Sequence, residues 1–323
     1  MKKYDVVALG ELLIDFTENG LSEQGNPILE ANPGGAPCNV LAMLTKLGKK
    51  TAFIGKVGSD SFGKMLSETI KTCGISAKGL VFDDKVHTTL AFVHKKPDGD
   101  RDFSFYREPG ADMMLSEEEV DADIISSSKI FHFGTLSMTH KSNSEATYYA
   151  VNTAKENGVN ISFDPNLREP LWKSLDDAKN AMKYGFSVCD ILKISDNEIE
   201  FFTGEKDIDK GVEKIRSEYD ILLILATLGK IGSKAYCKDI IVSASAYENL
   251  NVIDTTGAGD TFMGCALDYI CDNGIILNKE RLCELLDRAN AAAAIITGRR
   301  GALKAMPEKA EINRLRNSKL EIY

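Results

Sequence analysis

The sequence predicts an α/β fold in which a mostly parallel sheet carries helices on both faces. Short apolar runs, rich in β-branched residues, alternate with segments whose apolar residues recur at helical spacing. Parallel strands need such intervening segments, because the chain has to cross over before it re-enters the sheet. The six runs are residues 5–9, 51–55, 130–133, 159–163, 191–194 and 221–226.

Two segments depart from this rhythm. Residues 14–33 and 88–109 carry alternating apolar and polar residues, which is the pattern of strands with one covered face. Pro97-Asp98-Gly99 separates two such runs in the second segment, as expected of a hairpin turn. We expect both segments to form a small β-strand lid inserted in the α/β core. Because no internal repeat or low-complexity linker divides the chain, residues 1–323 are predicted to form a single domain.

Composition excludes several classes of protein. The 323 residues are 43% apolar, which is enough for a large core. The net charge is −9 and basic residues do not cluster, so nucleic acid is not an expected partner. The longest apolar stretches, 221–226 and 291–296, are far shorter than the about 20 residues that cross a bilayer. Residues 1–11 lack the pattern of a signal peptide. We therefore expect a soluble intracellular protein that does not associate with membranes.

The cysteines and histidines also bear on location and metal binding. The seven cysteines are scattered, odd in number and without a CxxC pair. That usage suits reduced thiols in a cytoplasm better than a disulfide framework. The four histidines lack the spacing of metal ligands, so a structural transition-metal site is not expected.

The most informative segment is 254–262 (DTTGAGDTF). The short apolar segment 249–253 is consistent with the end of a strand, and a helical pattern follows Phe262. Gly257 and Gly259 would let backbone N–H groups converge on an anion at the positive N-terminus of that helix. Asp260, in the first turn, could take a proton from a hydroxyl as it attacks phosphorus. The segment indicates phosphoryl transfer, although an ordinary glycine turn before a helix is the structural alternative.

A second glycine segment lies near the N-terminus, at 34–39 (GGAPCN). Gly34 and Gly35 would allow a polyhydroxyl ligand to approach the backbone closely, and the Asn39 amide offers both donors and an acceptor. Asp15, after the apolar segment 12–14, could accept two sugar hydroxyls. The alternatives are a plain helix start led by Pro37 and an ordinary loop acid.

Polar residues also follow three of the predicted strands, at 164–168, 196–200 and 227–229. In parallel α/β sheets, ligands bind outside the carboxyl ends of the strands. We expect these three segments to line one crevice.

Together these motifs resemble the two signatures of the ribokinase-like (pfkB) carbohydrate kinases. The N-terminal signature covers 34–39, Leu47-Gly48 and 55–63 (GKVGSDSFG), and the C-terminal one, 254–262, begins about 220 residues later. The resemblance implies a three-layer α/β fold with a strand lid over the sugar, and a homodimer formed through that lid. It implies that Asp260 is the base and that Gly257, Ala258 and Gly259 form the anion hole. Its implied sugar ligands are Asp15, Gly34, Gly35, Asn39 and Asp260.

Two further segments narrow the acceptor. Residues 105–113 (FYREPGADM) and 164–172 (DPNLREPLW) are similar to segments of the fructokinases within this family. The similarity implies that D-fructose is phosphorylated to fructose 6-phosphate. Arg168 would offer a planar fork to a sugar oxygen or phosphoryl group, Tyr106 an amphipathic wall, and Arg107 a second cation. For each of the three, a plain surface position is the alternative.

The resemblance also implies ATP, Mg²⁺ and a monovalent cation, K⁺. Residues 197–200 (NEIE) match the family's NxxE pattern, in which Asn197 would hold phosphate and Glu200 would hold Mg²⁺ through water, although 195–198 also reads as a helix capping box. The residues implied to border the nucleotide are Asn197, Thr227, Gly229, Gly232, Gly257, Gly259 and Asn290, the last expected to lead an alanine-rich helix. The implied K⁺ ligands, mostly backbone carbonyls, are Asp254, Thr256, Ile296, Arg299 and Gly301.

Other functions remain compatible with these motifs. Ribose, 2-keto-3-deoxygluconate, a nucleoside or an aminoimidazole riboside are alternative acceptors, because kinases for them share the anion hole and differ in the lid and the sugar loop. A non-catalytic sugar-sensing protein on the same fold is disfavoured, since Asp260 and both loop glycines are present.

Overall fold

The computed structural model describes residues 2–95, 101–248 and 251–320. The strands are β1 (Tyr4–Leu9), β2 (Leu13–Leu21), β3 (Pro27–Gly34), β4 (Thr51–Gly58), β5 (Ser76–Asp83), β6 (Leu90–Lys95), β7 (Arg101–Tyr106), β8 (Ser128–Gly134), β9 (Asn160–Asp164), β10 (Ile191–Ser195), β11 (Leu223–Thr227), β12 (Gly232–Cys237) and β13 (Ile240–Ser245). The helices are α1 (Ala36–Lys46), α2 (Ser61–Thr72), α3 (Ala122–Ser126), α4 (Lys141–Glu156), α5 (Leu175–Val188), α6 (Asp196–Thr203), α7 (Ile208–Glu218), α8 (Ala258–Asn273), α9 (Lys279–Thr297) and α10 (Lys309–Leu320).

The larger sheet has nine strands in the order β13-β12-β11-β10-β9-β8-β1-β4-β5. The strands from β11 to β5 pair in parallel, and β12 and β13 pair antiparallel at one edge. All six predicted runs lie in parallel strands of this sheet, which confirms the predicted fold class. Sequence periodicity missed β5, β12 and β13. Of these, β5 and β13 are edge strands, and only part of each is buried.

Both faces of the sheet are covered by helices. Along β1, Val6 and Ala8 pack into a core shared with α1, α8 and α9, whereas Val7 and Leu9 pack into a second core shared with α4, α5 and α7. A strand buried on both faces reads as a continuous apolar run rather than an alternating one. That is why the predicted runs stand out in the sequence.

Segments 14–33 and 88–109 contribute the second sheet, whose order is β3-β2-β6-β7. In it β2 pairs antiparallel with β3 and parallel with β6, and β6 pairs antiparallel with β7 as in the expected hairpin. The predicted turn at Pro97-Asp98-Gly99 lies outside the described residues. Strand β2 begins shortly after β1, so the lid sheet rises from the carboxyl edge of the larger sheet.

One local expectation is wrong. Residues 251–255 form no strand before α8, and 249–250 lie outside the described residues. The amides of Ile253 and Asp254 donate to the Thr297 carbonyl at the end of α9, at 2.8 and 3.1 Å, and Val252 and Ile253 are exposed. The two apolar residues therefore suggested a strand where the backbone is held by a helix end instead. In the described part of the chain, no helix is long and apolar enough to cross a membrane.

Candidate active site

Asp260 lies in the first turn of α8 and is buried. The helix begins after Gly257, whose φ of 78° is in the left-handed region that glycine tolerates. The Asp260 carboxylate accepts a hydrogen bond from Asn39 Nδ2 at 2.8 Å and one from Asn166 Nδ2 at 3.4 Å. Burial raises the pKa of Asp260, whereas the Asn39 hydrogen bond and the charges of Lys193 and Arg168 lower it. The carboxylate is thus held between an apolar interior and nearby donors.

The first of two cavities beside Asp260 has a volume of about 530 Å³. Its lining combines the predicted base with four of the predicted sugar ligands and includes Asp15, Gly35, Asn39, Arg168 and Asp260. Burial raises the pKa of Asp15 to about 7, and the Arg168 charge opposes that shift. Gly34 lies against this carboxylate, because a β-carbon at position 34 would be 2.3 Å from Asp15 Oδ2.

Glu11 also lines this cavity and was not predicted. Its Oε1 accepts a hydrogen bond from the Ala36 amide at 2.7 Å and so satisfies a free donor in the first turn of α1. Burial raises the pKa of Glu11 to about 7. In the sequence, an acid so soon after an apolar strand was the signal that could have identified Glu11 as a site residue.

The second cavity has a volume of about 520 Å³. Residues from 164–168, 196–200 and 227–229 all line it, so the three segments do border one crevice. All but one of the predicted nucleotide-binding residues lie in its wall: Asn197, Thr227, Gly229, Gly232, Gly259 and Asn290. The exception, Gly257, lines the first cavity instead.

Asn290 needs a correction, since it does not lead a helix. It lies in the middle of α9, and its amide is engaged with the neighbouring strands. Ser233 Oγ donates to Asn290 Oδ1 at 2.9 Å, and Asn290 Nδ2 donates to the Ala244 carbonyl at 3.1 Å. The alanine-rich segment is the C-terminal half of a longer helix whose first half has a mixed composition, which concealed the true start.

Four residues line both cavities: Asn166, Arg168, Lys193 and Gly259. Arg168 is exposed and donates to Asn166 Oδ1 at 2.7 Å. The two cavities therefore meet beside Asp260, at the N-terminus of α8. We call this meeting point the junction.

Lys193 is the functional candidate that sequence reasoning overlooked. It lies on β10, it is buried, and its Nζ is 3.0 Å from Asp164 Oδ2. Burial by itself would lower the pKa of Lys193, but the carboxylates of Asp164, Glu198 and Asp260 raise it. A lysine inside the apolar run 191–194 was the available signal, because an unpaired charge is rarely buried there.

Besides Gly34, two predicted substrate ligands are absent from the lining of both cavities. Tyr106 is 67% exposed and packs edge-on against Phe92, while its neighbour Phe105 lines the first cavity. Arg107 is buried in a pair with Asp112, at 2.6 Å, and donates to the Leu136 carbonyl at 3.1 Å. The alternation of a strand places neighbouring residues on opposite faces, so a one-residue difference in β7 separates the cavity from the outer surface.

Comparisons with known proteins place the chain in a family. Residues 3–309 match the pfkB family carbohydrate kinases. The chain belongs to this family. It is 42% identical to fructokinase-2 of Solanum lycopersicum, over 95% of this chain and 94% of that protein. It is also 42% identical to a probable fructokinase-2 of Arabidopsis thaliana, with the same two coverages.

Solved structures extend the similarity to the whole fold of this carbohydrate kinase. A fructokinase from Xylella fastidiosa with bound ATP has a TM-score of 0.90 and 29% identity, and the match covers 99% of this chain and 100% of that one. A putative ribokinase II from E. coli, in complex with ATP and Mg²⁺, has a TM-score of 0.86 at 26% identity over 98% and 99% of the two chains. A fructokinase from Vibrio cholerae with fructose, ADP and potassium has the same TM-score at 27% identity and the same coverages.

Glu200 is expected to hold Mg²⁺ through water, and Asn197 is expected to hold phosphate. Asn197 and Glu200 are exposed on α6, three residues apart and so on one helix face. Among the described residues, no three His, Cys, Asp or Glu side chains cluster closely enough to hold a metal. Mg²⁺ keeps several waters and needs few protein carboxylates, so this sparse set of ligands fits it. Ser195 does form the predicted capping box with Glu198 at the start of α6.

The residues expected around K⁺ are partly gathered. Asp254 and Gly301 line a small cavity of about 30 Å³, enough for one ion or water. The Thr256 amide donates to Asp254 Oδ1 at 2.7 Å. The Ile296 carbonyl accepts from the Arg299 amide at 2.9 Å, so one of its two lone pairs is already used.

Proposed function

We propose that this carbohydrate kinase is an ATP-dependent fructokinase that converts D-fructose to fructose 6-phosphate. The observation that carries the proposal is the position of Asp260 beside the junction of two cavities, in the first turn of α8. Most of the predicted sugar ligands line one cavity, and all but one of the predicted nucleotide-binding residues line the other. The similarity to plant and bacterial fructokinases supports fructose as the acceptor.

In this proposal, Asp15, Gly34, Gly35, Asn39 and Arg168 hold the sugar. Asp15 accepts hydrogen bonds from two sugar hydroxyls, and Gly34 and Gly35 leave the backbone accessible to the sugar. The C6 hydroxyl is then directed toward Asp260. Because Asp15 is in the lid sheet and Asn39 is on α1, closure of the lid over the sugar would also exclude water that competes with the acceptor.

Asp260 acts as the base. As the C6 oxygen bonds to the γ-phosphorus, the Asp260 carboxylate takes the hydroxyl proton, and the bond from the γ-phosphorus to the departing ADP oxygen breaks. Burial brings the pKa of Asp260 nearer to neutrality, while Asn39, Lys193 and Arg168 favour its ionised form. The amides of Gly257, Ala258 and Gly259, at the helix N-terminus, stabilise charge on the transferring group.

ATP occupies the cavity lined by Asn197, Thr227, Gly229, Gly232 and Asn290. Asn197 would hold phosphate and Glu200 would hold hydrated Mg²⁺, which when bound neutralises charge on the phosphates. Asp254 and the carbonyls of Thr256, Ile296, Arg299 and Gly301 would hold K⁺, whose charge would support the anion hole. Potassium in the fructokinase structure from Vibrio cholerae supports the K⁺ assignment, and Mg²⁺ with ATP in the putative ribokinase II supports the Mg²⁺ assignment.

We also propose that the chain forms one sugar-kinase domain and dimerises through its lid sheet. A dimer would cover the exposed Tyr106 and give it a role away from its own cavity. All seven cysteines are free thiols in the structure, which supports a reducing compartment, and we place the protein in the cytoplasm.

The test combines an acceptor panel with one substitution. Wild-type protein with ATP and Mg²⁺ should phosphorylate fructose with a higher kcat/KM than ribose, 2-keto-3-deoxygluconate, a nucleoside or an aminoimidazole riboside. Asp260→Asn should lower kcat on fructose by roughly 10²–10⁴, because it keeps the size of the side chain and loses the base. Asp268→Asn, on the same helix but paired with Arg288, is the matched control and should leave kcat unchanged. A preferred acceptor other than fructose would contradict the proposed substrate, and an active Asp260→Asn enzyme would contradict the proposed role of Asp260 as the base.

A further inference from the structure

Lys193 lies where the transferring group must pass. It is the lysine that lines both cavities, together with Asn166, Arg168 and Gly259. Its ammonium also reaches the anion loop, because a β-carbon at position 259 would be 3.1 Å from Lys193 Nζ. The absence of a side chain at Gly259 thus allows the Lys193 ammonium to lie close to the loop backbone.

The ammonium of Lys193 has donors to spare. An ammonium carries three N–H groups. Within the described residues, Lys193 Nζ hydrogen-bonds to Asp164 Oδ1 at 3.1 Å, and Asp164 Oδ2 of the same carboxylate lies at 3.0 Å. One carboxylate therefore serves this lysine, and at least one N–H can point into the junction.

A second buried lysine shows what a purely structural pair looks like here. Lys56 Nζ lies 2.8 Å from Glu119 Oε1 and 3.0 Å from Asp83 Oδ2, and it donates to the Met114 carbonyl at 3.2 Å. Its three donors are matched by three partners. The side chains of Lys56 and Lys193 are 9% and 7% exposed, so burial alone does not distinguish the two.

The charges around the junction require a cation. The carboxylates of Asp164, Glu198 and Asp260 all raise the pKa of Lys193, and burial together with the Lys193 charge lowers the pKa of His132 to about 3. Arg168 is exposed at the rim. Without Lys193, a phosphoryl group in transfer would approach the carboxylates of Glu198 and Asp260, which line the second and the first cavity. That arrangement would repel the group that has to cross.

We propose that Lys193 is a further catalytic residue, whose ammonium contacts the transferring phosphoryl group at the junction while Asp164 positions the ammonium. This inference rests on the proposed phosphoryl transfer. Lys193 gives up no proton: the sugar proton goes to Asp260, the new bond joins the sugar oxygen to phosphorus, and the ADP oxygen leaves. The ammonium stabilises the negative charge on the peripheral phosphoryl oxygens throughout.

The main test replaces Lys193 by methionine, which keeps the length of the side chain and removes its charge. Lys193→Met should lower kcat by about 10²–10³, the usual effect of removing one donor to a developing charge. The Kd of ADP should stay within about twofold of wild type, because ADP lacks the phosphoryl group that the ammonium contacts. Lys56→Met is the matched control: it should lose stability and keep both kcat and the Kd of ADP.

A double substitution separates catalysis from neutralisation of Asp164. If Lys193 merely balances that carboxylate, the Asp164→Asn/Lys193→Met enzyme should be as fast as Asp164→Asn alone. Our proposal expects the double variant to be as slow as Lys193→Met. Because the double variant leaves no buried charge without its partner, it also tests the proposal if Lys193→Met fails to fold.

The pH profile supplies a third readout. The charged groups facing Asp260 are Lys193 and Arg168, together with the carboxylates of Asp15 and Asp164. Removing Lys193 should raise the pKa of Asp260, so the acidic limb of the kcat/KM profile should move to higher pH. An acidic limb unmoved in Lys193→Met, with kcat within threefold of wild type on the best acceptor, overturns the inference. Failure of the wild type to use fructose contradicts only the proposed substrate.

Discussion

Glu11, in the wall of the first cavity, makes the stability of the folded protein depend on pH. Burial raises its pKa to about 7, so between roughly pH 4.5 and 7 the folded protein holds a proton that the unfolded chain releases. This contribution makes the folded state less stable as pH rises through that window. Glu11→Gln keeps an acceptor for the Ala36 amide and removes the titration. Its unfolding free energy relative to wild type should therefore increase by up to about 3 kcal/mol between pH 4.5 and 7.5. Urea unfolding at several pH values measures it, with the exposed Glu68→Gln as control; parallel curves for Glu11→Gln and wild type would show that Glu11 titrates normally.

At the scale of the element, α8 depends on the conformation of its first glycine. Gly257→Ala would force an alanine to φ 78° and bring its β-carbon 2.7 Å from Ala302 Cβ, so the first turn of α8 has to move. Gly158, with φ 60° and open space around it, isolates the backbone strain from the clash. We expect Gly158→Ala to cost about 1 kcal/mol with kcat unchanged. Gly257→Ala should cost more and also lower kcat about tenfold or more, because displaced amides no longer converge on the phosphoryl group. Thermal unfolding and steady-state kinetics of both variants test this prediction. Equal kcat values for Gly257→Ala and Gly158→Ala would show that the conformation at the start of α8 does not affect catalysis.

At the scale of the whole molecule, the lid sheet exposes apolar side chains that a monomer would leave in water. Leu21, Ile28, Leu29 and Tyr106 lie on its strands and are 63%, 45%, 44% and 67% exposed. Ile28 and Leu29 are neighbours in β3 and so lie on opposite faces of the sheet, and exposed apolar surface often marks an interface. We expect light scattering to give twice the mass of the chain for the wild type and a single mass for Ile28→Lys/Leu29→Lys. The control is Ile241→Lys/Leu175→Lys, which changes equally exposed apolar residues outside the lid. A monomeric wild type would contradict the lid dimer.

Much of this architecture is legible in the chain before folding is considered. The buried parallel strands are continuous apolar runs, and the capping box at Ser195 and the first turn of α8 depend on neighbouring residues alone. The edge strand β13 is harder to recognise, because a half-exposed strand lacks a continuous run. The strand expected before Gly257 was wrong for a similar reason: two apolar residues cannot reveal that their amides bond to the distant end of α9.

The same contrast holds in the active site. Gly257, Gly259 and Asp260 are recognisable from their spacing, since backbone freedom and a helix N-terminus act over a few residues. Lys193, Glu11 and Asn166 make their contacts with segments far away in the chain. The Lys193 ammonium lies close to Gly259, the Glu11 carboxylate accepts from the first turn of α1, and the Asn166 amide donates to Asp260. A local sequence pattern predicts the backbone conformation and capping of one segment. The burial and the charge of a side chain at the junction depend on which distant segments the sheet brings together.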